Sequence, residues 1–401
     1  MENDMKDPDL AEKLKDSVMT KNDLLCIEIA GLCHDIGHGP FSHLFDQYFY
    51  KEPSIVKDGN VPSKWKHEDA SMAMFQHMID ANEKLKDAFK EEFHVTNNQE
   101  LQEILRFIKD LIIGKVGNKP AYMYEIVANR TSEIDVDKMD YFARDCHGLG
   151  MKSDFDHLRY IQNCRVMMIV DDAGKQRSSI CIREKAVHDL YELFHTRNNL
   201  TRRAYNHKVS RAVEYMINDA LVAANDVIKI KVEKDARKRE TVKMSEAWDC
   251  MSAYQKLTDG VLDHIMMSNE TGLEKSQKII SRIHNRDLYK CVYESSPKKV
   301  ISKKEEEMKV TIMGAEEDLL EEDFMVKKLT YSYGKKEEDP VKNVFFYRKG
   351  TNDYRKIKPS EVSHFLPSEV FQEGIIRVYL KTSKKEQELK RAVERVKDLL
   401  C

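Results

Sequence analysis

The sequence predicts a mainly α protein: a helical core with short β-hairpins, followed by a small C-terminal α+β lobe. Apolar residues recur at helical spacing over residues 99–113, which predicts a core helix. The last hundred residues change character, because three strand-like runs precede a closing amphipathic helix. We therefore expect a main domain over residues 1–295, a linker over 296–310 and the lobe over 311–401.

Helices dominate the predicted order of elements. Residues 24–33 are apolar apart from Glu28, which predicts a buried helix that the following Gly37, Gly39 and Pro40 end. The other expected elements are an exposed helix or frayed end at 1–22, helices beginning at His67 and covering 133–147, 185–225 and 246–290, hairpins over 154–183 and 226–245, and strands at 324–333, 343–347 and 375–382.

Composition excludes several classes of protein. The 401 residues carry 66 basic and 69 acidic side chains, so the net charge of −3 directs the chain neither to nucleic acid nor to membranes. We find no run of about 18 apolar residues, which predicts no membrane span, and no apolar signal segment at the start. The eight cysteines lack a CxxC pair and are expected to be reduced thiols.

One short stretch concentrates groups that can bind a metal. His34, His38 and His43 fall within ten positions, Asp35 follows the first of them, and Asp46 comes three residues after the last. Adjacent imidazole and carboxylate at the end of a buried helix suit Zn, Fe or Mn. The alternative is a helix C-terminus whose histidines interact with the helix dipole. Because a buried aspartate needs a partner, the sequence favours the metal site.

A second stretch, residues 133–147, combines five acids with apolar side chains. As a helix it would place Asp137, Tyr141 and either Arg144 or Asp145 along one face. A solvated surface helix is the alternative, but the apolar residues leave little room for free exposure. An aspartate on a part-buried helix needs a cation, so Asp137 is a candidate third ligand beside the His-Asp pair.

A basic stretch over residues 195–208 allows two interpretations. It is either a solvated face or a set of phosphate contacts from Arg197, Arg202, Arg203 and Lys208. In the second case Tyr205 could stack on a base or a sugar.

These motifs together resemble the HD-domain metal-dependent phosphohydrolases. Longer strings resemble, within that superfamily, the animal deoxynucleoside triphosphate triphosphohydrolases that combine a SAM domain with an HD domain. The matching strings are AGLCHDIGHGPFSH, IDVDKMDYFARDCHGLG, LFHTRNNLTRRAYNHKV and NRDLYKCVYE. Strings of this length are highly specific, and the resemblance covers nearly the whole chain. The family cleaves a dNTP to the deoxynucleoside and triphosphate, which limits dNTP pools and viral replication.

The resemblance implies a role for each matching residue. One transition metal ion (Zn, Fe or Mn) would be bound by His34, Asp35 and Asp137. His67 would be the catalytic histidine, with His38 and His43 near the α-phosphate and Asp46 orienting His43. The residues implied to contact the substrate dNTP are Lys138 and Arg197 at the phosphates, Tyr141 and Asp145 at the sugar, and Tyr205 with its neighbour Asn206 against the deoxyribose.

Regulation by nucleotides is also implied by the resemblance. The family forms dimers and tetramers that GTP and dNTPs assemble at allosteric sites, with Mg on the bound nucleotides, and it is mainly nuclear, with the cytosol as a second location. Single-stranded nucleic acid is a further implied partner. The positions that match allosteric nucleotide contacts are Arg159, Arg183, Lys185, Arg203, His207, Lys208, Arg286 and Lys290.

The sequence also departs from the family pattern. The family's first metal ligand is a histidine upstream of the His-Asp pair, whereas no histidine precedes His34 in this sequence. The SAM domain and the start of the HD domain are expected to be missing. Asn206 stands where the family has Gln, Thr201 where it has His and Asp189 where it has Asn. A second hypothesis is therefore a catalytically impaired subunit that binds nucleotide or nucleic acid beside a full-length relative.

Overall fold

The computed structural model describes residues 18–59, 61–62, 65–233, 237–335, 337–363 and 370–400. The element predicted at residues 1–22 lies largely outside this part of the chain. Helices are the main elements, so the predicted mainly α fold class is confirmed. Among the described residues, we find no helix with the length and apolar content to cross a bilayer. The described cysteines are free thiols.

The chain forms two compact units, each built from separate segments. The first unit takes its described residues from 1–190, 222–273 and 343–357, and the second takes them from 191–221, 274–342 and 358–401. The domain boundaries expected near residues 295 and 310 stay a prediction.

The helices are numbered in chain order. Their bounds are α1 Lys21–Cys33, α2 His43–Gln47, α3 Pro53–Gly59, α4 His67–Ala81, α5 Glu83–Glu92, α6 Asn98–Ile112, α7 Tyr124–Val127, α8 Val136–Leu149, α9 His157–Gln162, α10 Val187–Leu200, α11 Lys208–Ala224, α12 Met251–Tyr254, α13 Val261–Met267, α14 Glu274–His284, α15 Glu305–Met313, α16 Pro359–Val362 and α17 Glu386–Val396.

Helix α1 carries the His-Asp pair at its end. A capping box begins it, because the Thr20 side chain accepts from the Asp23 amide while the Asp23 carboxylate accepts from the Thr20 amide. Its face of Cys26, Ile27 and Ala30 is buried in one core with side chains of α4, α6 and α7. Burial fixes the helix, so the two residues that follow Cys33 are held at a defined place in the first unit.

We expect Asp23→Ala to lower the free energy of unfolding by about 1–2 kcal/mol, since a cap and a buried charged hydrogen bond are lost. Burial tends to raise the pKa of Asp23, but its bonds to Lys119 (Nζ to Oδ1 2.7 Å) and Thr20 outweigh burial and lower it. The carboxylate therefore stabilises the fold above its ordinary pKa near 4, and this stability disappears as pH falls through the lowered value. Urea unfolding at pH 7 and pH 3 measures both effects. Glu28→Ala, on the exposed face of α1, is the control; equal unfolding of both variants at pH 7 would contradict the expectation.

Within the described residues, short strands form three sheets. The predicted hairpin is confirmed: β1 Cys164–Val170 pairs antiparallel with β2 Gln176–Arg183, in the register Cys164↔Ile182. Strand β7 Phe346–Tyr347 adds parallel to β2, and β8 Tyr354–Arg355 pairs antiparallel with β7, all within the first unit. The hairpin predicted over 226–245 is also confirmed, as β3 Lys229–Lys231 and β4 Thr241–Lys243.

The second unit contains an antiparallel sheet in the order β5-β9-β6. Its strands are β5 Lys290–Glu294, β6 Phe324–Ser332 and β9 Gln372–Leu380. Strand β9 is central and buried from Gly374 to Leu380. Side chains of α15 and α17 share a core with β6 and β9, and the closing amphipathic helix is confirmed because Leu389, Val393 and Val396 are buried.

Four predicted elements differ in detail. The strand expected over 343–347 is limited to β7, Phe346–Tyr347, and a 3₁₀ helix, Pro340–Asn343, precedes it. The helix expected over 185–225 contains a π-helical turn at Thr201–Tyr205 between α10 and α11. The helix expected over 246–290 is broken into shorter helices, because Gly260 and Gly272 fall in its turns. Helix α15 begins inside the expected linker, since three glutamates favour its N-terminus and Met308 and Ile312 are buried.

Candidate active site and metal centre

Three predicted ligands converge in the first unit. The structure brings one ligand atom each of His34, Asp35 and Asp137 within 4.8 Å of one another. His34 Nε2 lies 3.4 Å from Asp35 Oδ2 and 3.3 Å from Asp137 Oδ1. Because His34 and Asp35 follow α1 while Asp137 lies in the first turn of α8, the fold joins groups about a hundred positions apart.

The orientation of His34 is that of a metal ligand. Its Nδ1 donates to the carbonyl oxygen of Gly31 at 2.6 Å, so the other ring nitrogen is directed at the two carboxylates. Histidines that bind metals are commonly held in this way by a backbone carbonyl. Without a cation, the hydrogen bond to Asp137 raises the pKa of His34 to about 9. A bound metal would take the place of that proton.

The two carboxylates differ in their electrostatics. Burial raises the pKa of Asp35, with the Asp137 charge acting in the same direction. Burial also opposes ionisation of Asp137, but the hydrogen bond and charge of His34, helped by Lys138, lower the pKa of Asp137 overall. One nitrogen and two carboxylate oxygens at this spacing fit Zn, Fe or Mn, and three protein ligands leave positions open for water or substrate.

A second cluster lies in the same unit. His38, His43 and His67 form the other group of three potential ligands found among the described residues. The His38 and His67 rings are stacked with centroids 3.9 Å apart, and the His43 ring meets each of them edge-on at 5.0 and 5.1 Å. His38 also lies near the metal candidates, with Nε2 3.6 Å from Asp35 Oδ1.

Asp46 lies close to two of these imidazoles. Its Oδ2 accepts from His67 Nδ1 at 2.9 Å, and its Oδ1 lies 3.6 Å from His43 Nδ1. Burial opposes its ionisation, but the two histidines hold the pKa of Asp46 well below its usual range. The resemblance implies that Asp46 orients His43; the shorter contact is with His67.

The pKa values of the two stacked imidazoles are shifted in opposite directions. Burial and repulsion from His67 and His43 lower the pKa of His38 to about 4. Burial acts in the same direction on His67, but the Asp46 hydrogen bond and the Glu68 charge raise the pKa of His67 overall. Two titratable groups with separated pKa values are the arrangement that general acid–base chemistry requires.

Crowded backbone holds this histidine stretch against α4. The Gly37 amide donates to Ser71 Oγ at 3.0 Å, and a Cβ placed on Gly37 would lie 2.1 Å from the Ser71 nitrogen. Sequence reasoning did not identify Ser71. Its position four residues after His67, on the same face of α4, is the signal that could have found it.

The residues implied to contact substrate divide between the two units. Tyr141 and Asp145 lie four and eight positions after Asp137 on α8, and therefore on one face with it. Lys138 Nζ is 3.4 Å from the capping residue Asp135. Lys138, Tyr141 and Asp145 therefore lie on the same helix as the candidate metal ligand Asp137.

The other three belong to the second unit. Arg197 Nη1 donates to the Ser332 carbonyl at 3.0 Å. Asn206 is buried, its carbonyl accepts from Arg377 Nη1 at 2.5 Å, and its side-chain oxygen accepts from Arg211 Nε at 2.8 Å. Tyr205 ends the π-helical turn, a feature that often marks functional sites. Their implied roles stay predictions.

The positions implied to contact allosteric nucleotides are likewise found in both units. Arg159 Nε pairs with Asp189 at 2.8 Å, so the aspartate that departs from the family pattern neutralises a neighbouring cation. In the second unit Lys290 pairs with Glu386 at 2.7 Å, and the Lys208 carbonyl accepts from Tyr379. The first unit also holds Arg183 and Lys185, and the second also holds Arg203, His207 and Arg286.

Comparisons with known proteins assign the first part of the chain to a known domain family. The family profile of the HD domain matches residues 9–145, which include the His-Asp pair and Asp137. The chain is therefore a protein with an HD domain.

Individual proteins that match most of the chain identify a family within this class. The chain is 38% identical over 93% of its length to the deoxynucleoside triphosphate triphosphohydrolase SAMHD1 of Danio rerio, and covers 60% of that protein. It is 38% identical to the same protein of Homo sapiens, again over 93% of its length and 60% of the relative. Identity to the SAMHD1 homolog of Dictyostelium discoideum is 34% over 94% of the chain and 66% of the relative. The chain belongs among the homologues of the SAMHD1 family, and spans about 60% of the length of the animal relatives.

Proposed function

We propose that this protein is a metal-dependent dNTP triphosphohydrolase that converts a dNTP and water to a deoxynucleoside and triphosphate. The observation that carries the proposal is the pair of adjacent clusters: His34, Asp35 and Asp137 for a metal, beside stacked His38 and His67. Homology to proteins named for this reaction supports it.

The residues of the first cluster would hold one Zn, Fe or Mn ion. A bound cation would act as a Lewis acid that offsets charge developing on the phosphoryl oxygens. The chain itself supplies preorganisation, because the Gly31 carbonyl fixes the His34 ring and α8 fixes Asp137.

A histidine of the second cluster would donate a proton to the leaving group. Attack of water on the α-phosphorus breaks its bond to the 5′-oxygen, and the departing oxygen needs a proton. His67 carries a proton at higher pH than an ordinary histidine, because its pKa is raised, with Nδ1 bonded to Asp46 and Nε2 left for the transfer. General acid catalysis of this kind typically contributes about 10²–10⁴-fold.

Substrate contacts come from residues whose roles are carried over by resemblance. Lys138 and Arg197 would bind phosphates, Tyr141 and Asp145 the sugar, and Tyr205 the deoxyribose face. We also propose nucleotide activation by GTP or dGTP with Mg, homo-oligomers from dimer to tetramer, binding of single-stranded nucleic acid, and a nuclear role in antiviral restriction. These rest on the homology and the basic positions named above.

The products of dGTP test the reaction class. We expect phosphorus NMR to show tripolyphosphate and chromatography to show deoxyguanosine, with GTP, Mg and a transition metal present. Release of orthophosphate with dGDP would place the cleavage at another bond and contradict the proposal. Nucleotide binding without turnover would favour the impaired binding subunit instead.

His67→Ala is expected to reduce turnover of dGTP by about 10²–10⁴-fold, because the proton donor is lost. The metal content should stay at the wild-type level, since His67 is not one of the three residues, His34, Asp35 and Asp137, that are proposed to bind the metal. His264→Ala changes an exposed histidine on α13 and serves as the control. Equal turnover of the two variants would exclude His67 as the acid.

A further inference from the structure

The histidine stretch makes an unusual turn before His43. Phe41 and Ser42, neither of them glycine, both have positive φ values, 59° and 53°. Ser42 combines this with ψ of −120°, a conformation that turns normally give to glycine. Strained backbone of this kind persists only where the surrounding structure over-determines it, and it is concentrated at active sites.

One contact acts directly on this turn. The Phe41 amide donates to Asp259 Oδ1 at 2.8 Å, across 218 positions of the sequence. Asp259 lies in the short connection between α12 and α13, within the first unit. The contact is exposed, but a hydrogen bond to a carboxylate is stronger than one between neutral groups, so it restrains the residue that precedes the strained serine.

A second contact fixes the start of the segment that leads into this turn. The Tyr254 hydroxyl donates to the Gly37 carbonyl at 2.8 Å, and this contact is buried. Tyr254 is itself almost fully buried, with its ring edge-on to Trp65. Tyr254, the last residue of α12, therefore holds one end of the segment 37–41, and Asp259, in the connection that follows, holds the other. His38 directly follows Gly37, and His43 follows Phe41 by two residues.

We propose that Asp259 and Tyr254 are positioning residues that hold His38 and His43 in place for catalysis. The inference rests on the proposed function for its kinetic part. Both side chains bond to backbone atoms of the histidine stretch and act through them. Misplacement of a reacting group by about 1 Å can lower the rate about 10²-fold. Loss of a contact that positions such a group should therefore lower turnover.

Asp259→Ala removes the acceptor, whereas Asp259→Asn keeps an oxygen at the same place. We expect Asp259→Ala to lower kcat for dGTP by about 10–100-fold with KM nearly unchanged, as is typical when a group that orients an active-site residue is lost. Asp259→Asn should restore most of kcat. Tyr254→Phe, which removes only the hydroxyl, should lower kcat in the same way. Asp263→Ala, an exposed acid on α13, is the matched control.

Two readouts do not depend on turnover. Hydrogen exchange of the Phe41 amide should accelerate in Asp259→Ala, and the imidazole nitrogen NMR signals of His43 should shift. Neither should change in Asp263→Ala. Unchanged Phe41 exchange and His43 signals in a folded Asp259→Ala protein would overturn the inference. If wild-type protein does not release triphosphate, the proposed function fails, while the exchange and NMR results still decide whether Asp259 positions the turn.

Discussion

Asp137→Asn is expected to abolish stoichiometric metal binding and to lower turnover of dGTP by at least about 10³-fold. The amide has nearly the shape of the carboxylate but no charge, so it is a poor ligand for Zn, Fe or Mn. It also weakens the contact with His34 Nε2, which lies 3.3 Å from Asp137 Oδ1. Metal analysis of the purified variant and a triphosphate-release assay measure the two effects together.

Asp140→Asn is the matched control for this variant. Asp140 lies three positions further along α8 and is exposed, so the same change in charge and shape falls outside the cluster. Its metal content and turnover should equal those of the wild type. Full metal content in Asp137→Asn would show that Asp137 is not a ligand.

Gly37→Ala is expected to destabilise the protein by about 1–3 kcal/mol or more, and to lower turnover as well. A Cβ at Gly37 would lie 2.1 Å from the Ser71 nitrogen and 2.5 Å from the carbonyl carbon of Ala70 and the carbonyl oxygen of His67. These are backbone atoms, so the strain cannot be relieved by a rotamer change. The histidine stretch must move away from α4, which separates His38 from His67. Thermal unfolding and the triphosphate assay measure the consequences.

Gly31→Ala separates this steric effect from a general effect of replacing glycine. Gly31 lies on α1, and a Cβ there meets no atom within 4 Å. Alanine should stabilise that helix by about 0.5–1 kcal/mol, because it loses less backbone conformational entropy on folding than glycine does. If Gly37→Ala unfolds at the same temperature as the wild type, this would contradict the close approach of Gly37 to the backbone of α4.

Local patterns predicted much of the fold. The apolar run over 24–33 located α1, the helical spacing over 99–113 located α6, and the hairpin expected over 154–183 corresponds to β1–β2. The π-helical turn at Thr201–Tyr205 was not predicted, and neither were the helix breaks at Gly260 and Gly272. Tertiary contacts decide where a helix is interrupted, and the local sequence pattern does not show them.

The candidate site was predicted in part for a similar reason. Ligand chemistry and short spacing indicated His34 and Asp35, and the apolar character of 133–147 indicated Asp137. The stacking of His38 on His67 and the bond of His67 to Asp46 depend on how the loop after α1 and helix α2 approach α4, which spacing alone does not encode. The contacts of Tyr254 and Asp259 with the histidine stretch are long-range, and no local pattern signals them.

Metal stoichiometry measured beside turnover tests the central claim most directly. The purified wild-type chain should contain close to one Zn, Fe or Mn ion and release triphosphate from dGTP, and His34→Ala should lose both properties together. A folded wild-type chain with neither bound metal nor triphosphate release, after loading with each of these ions and with GTP present, would contradict the account.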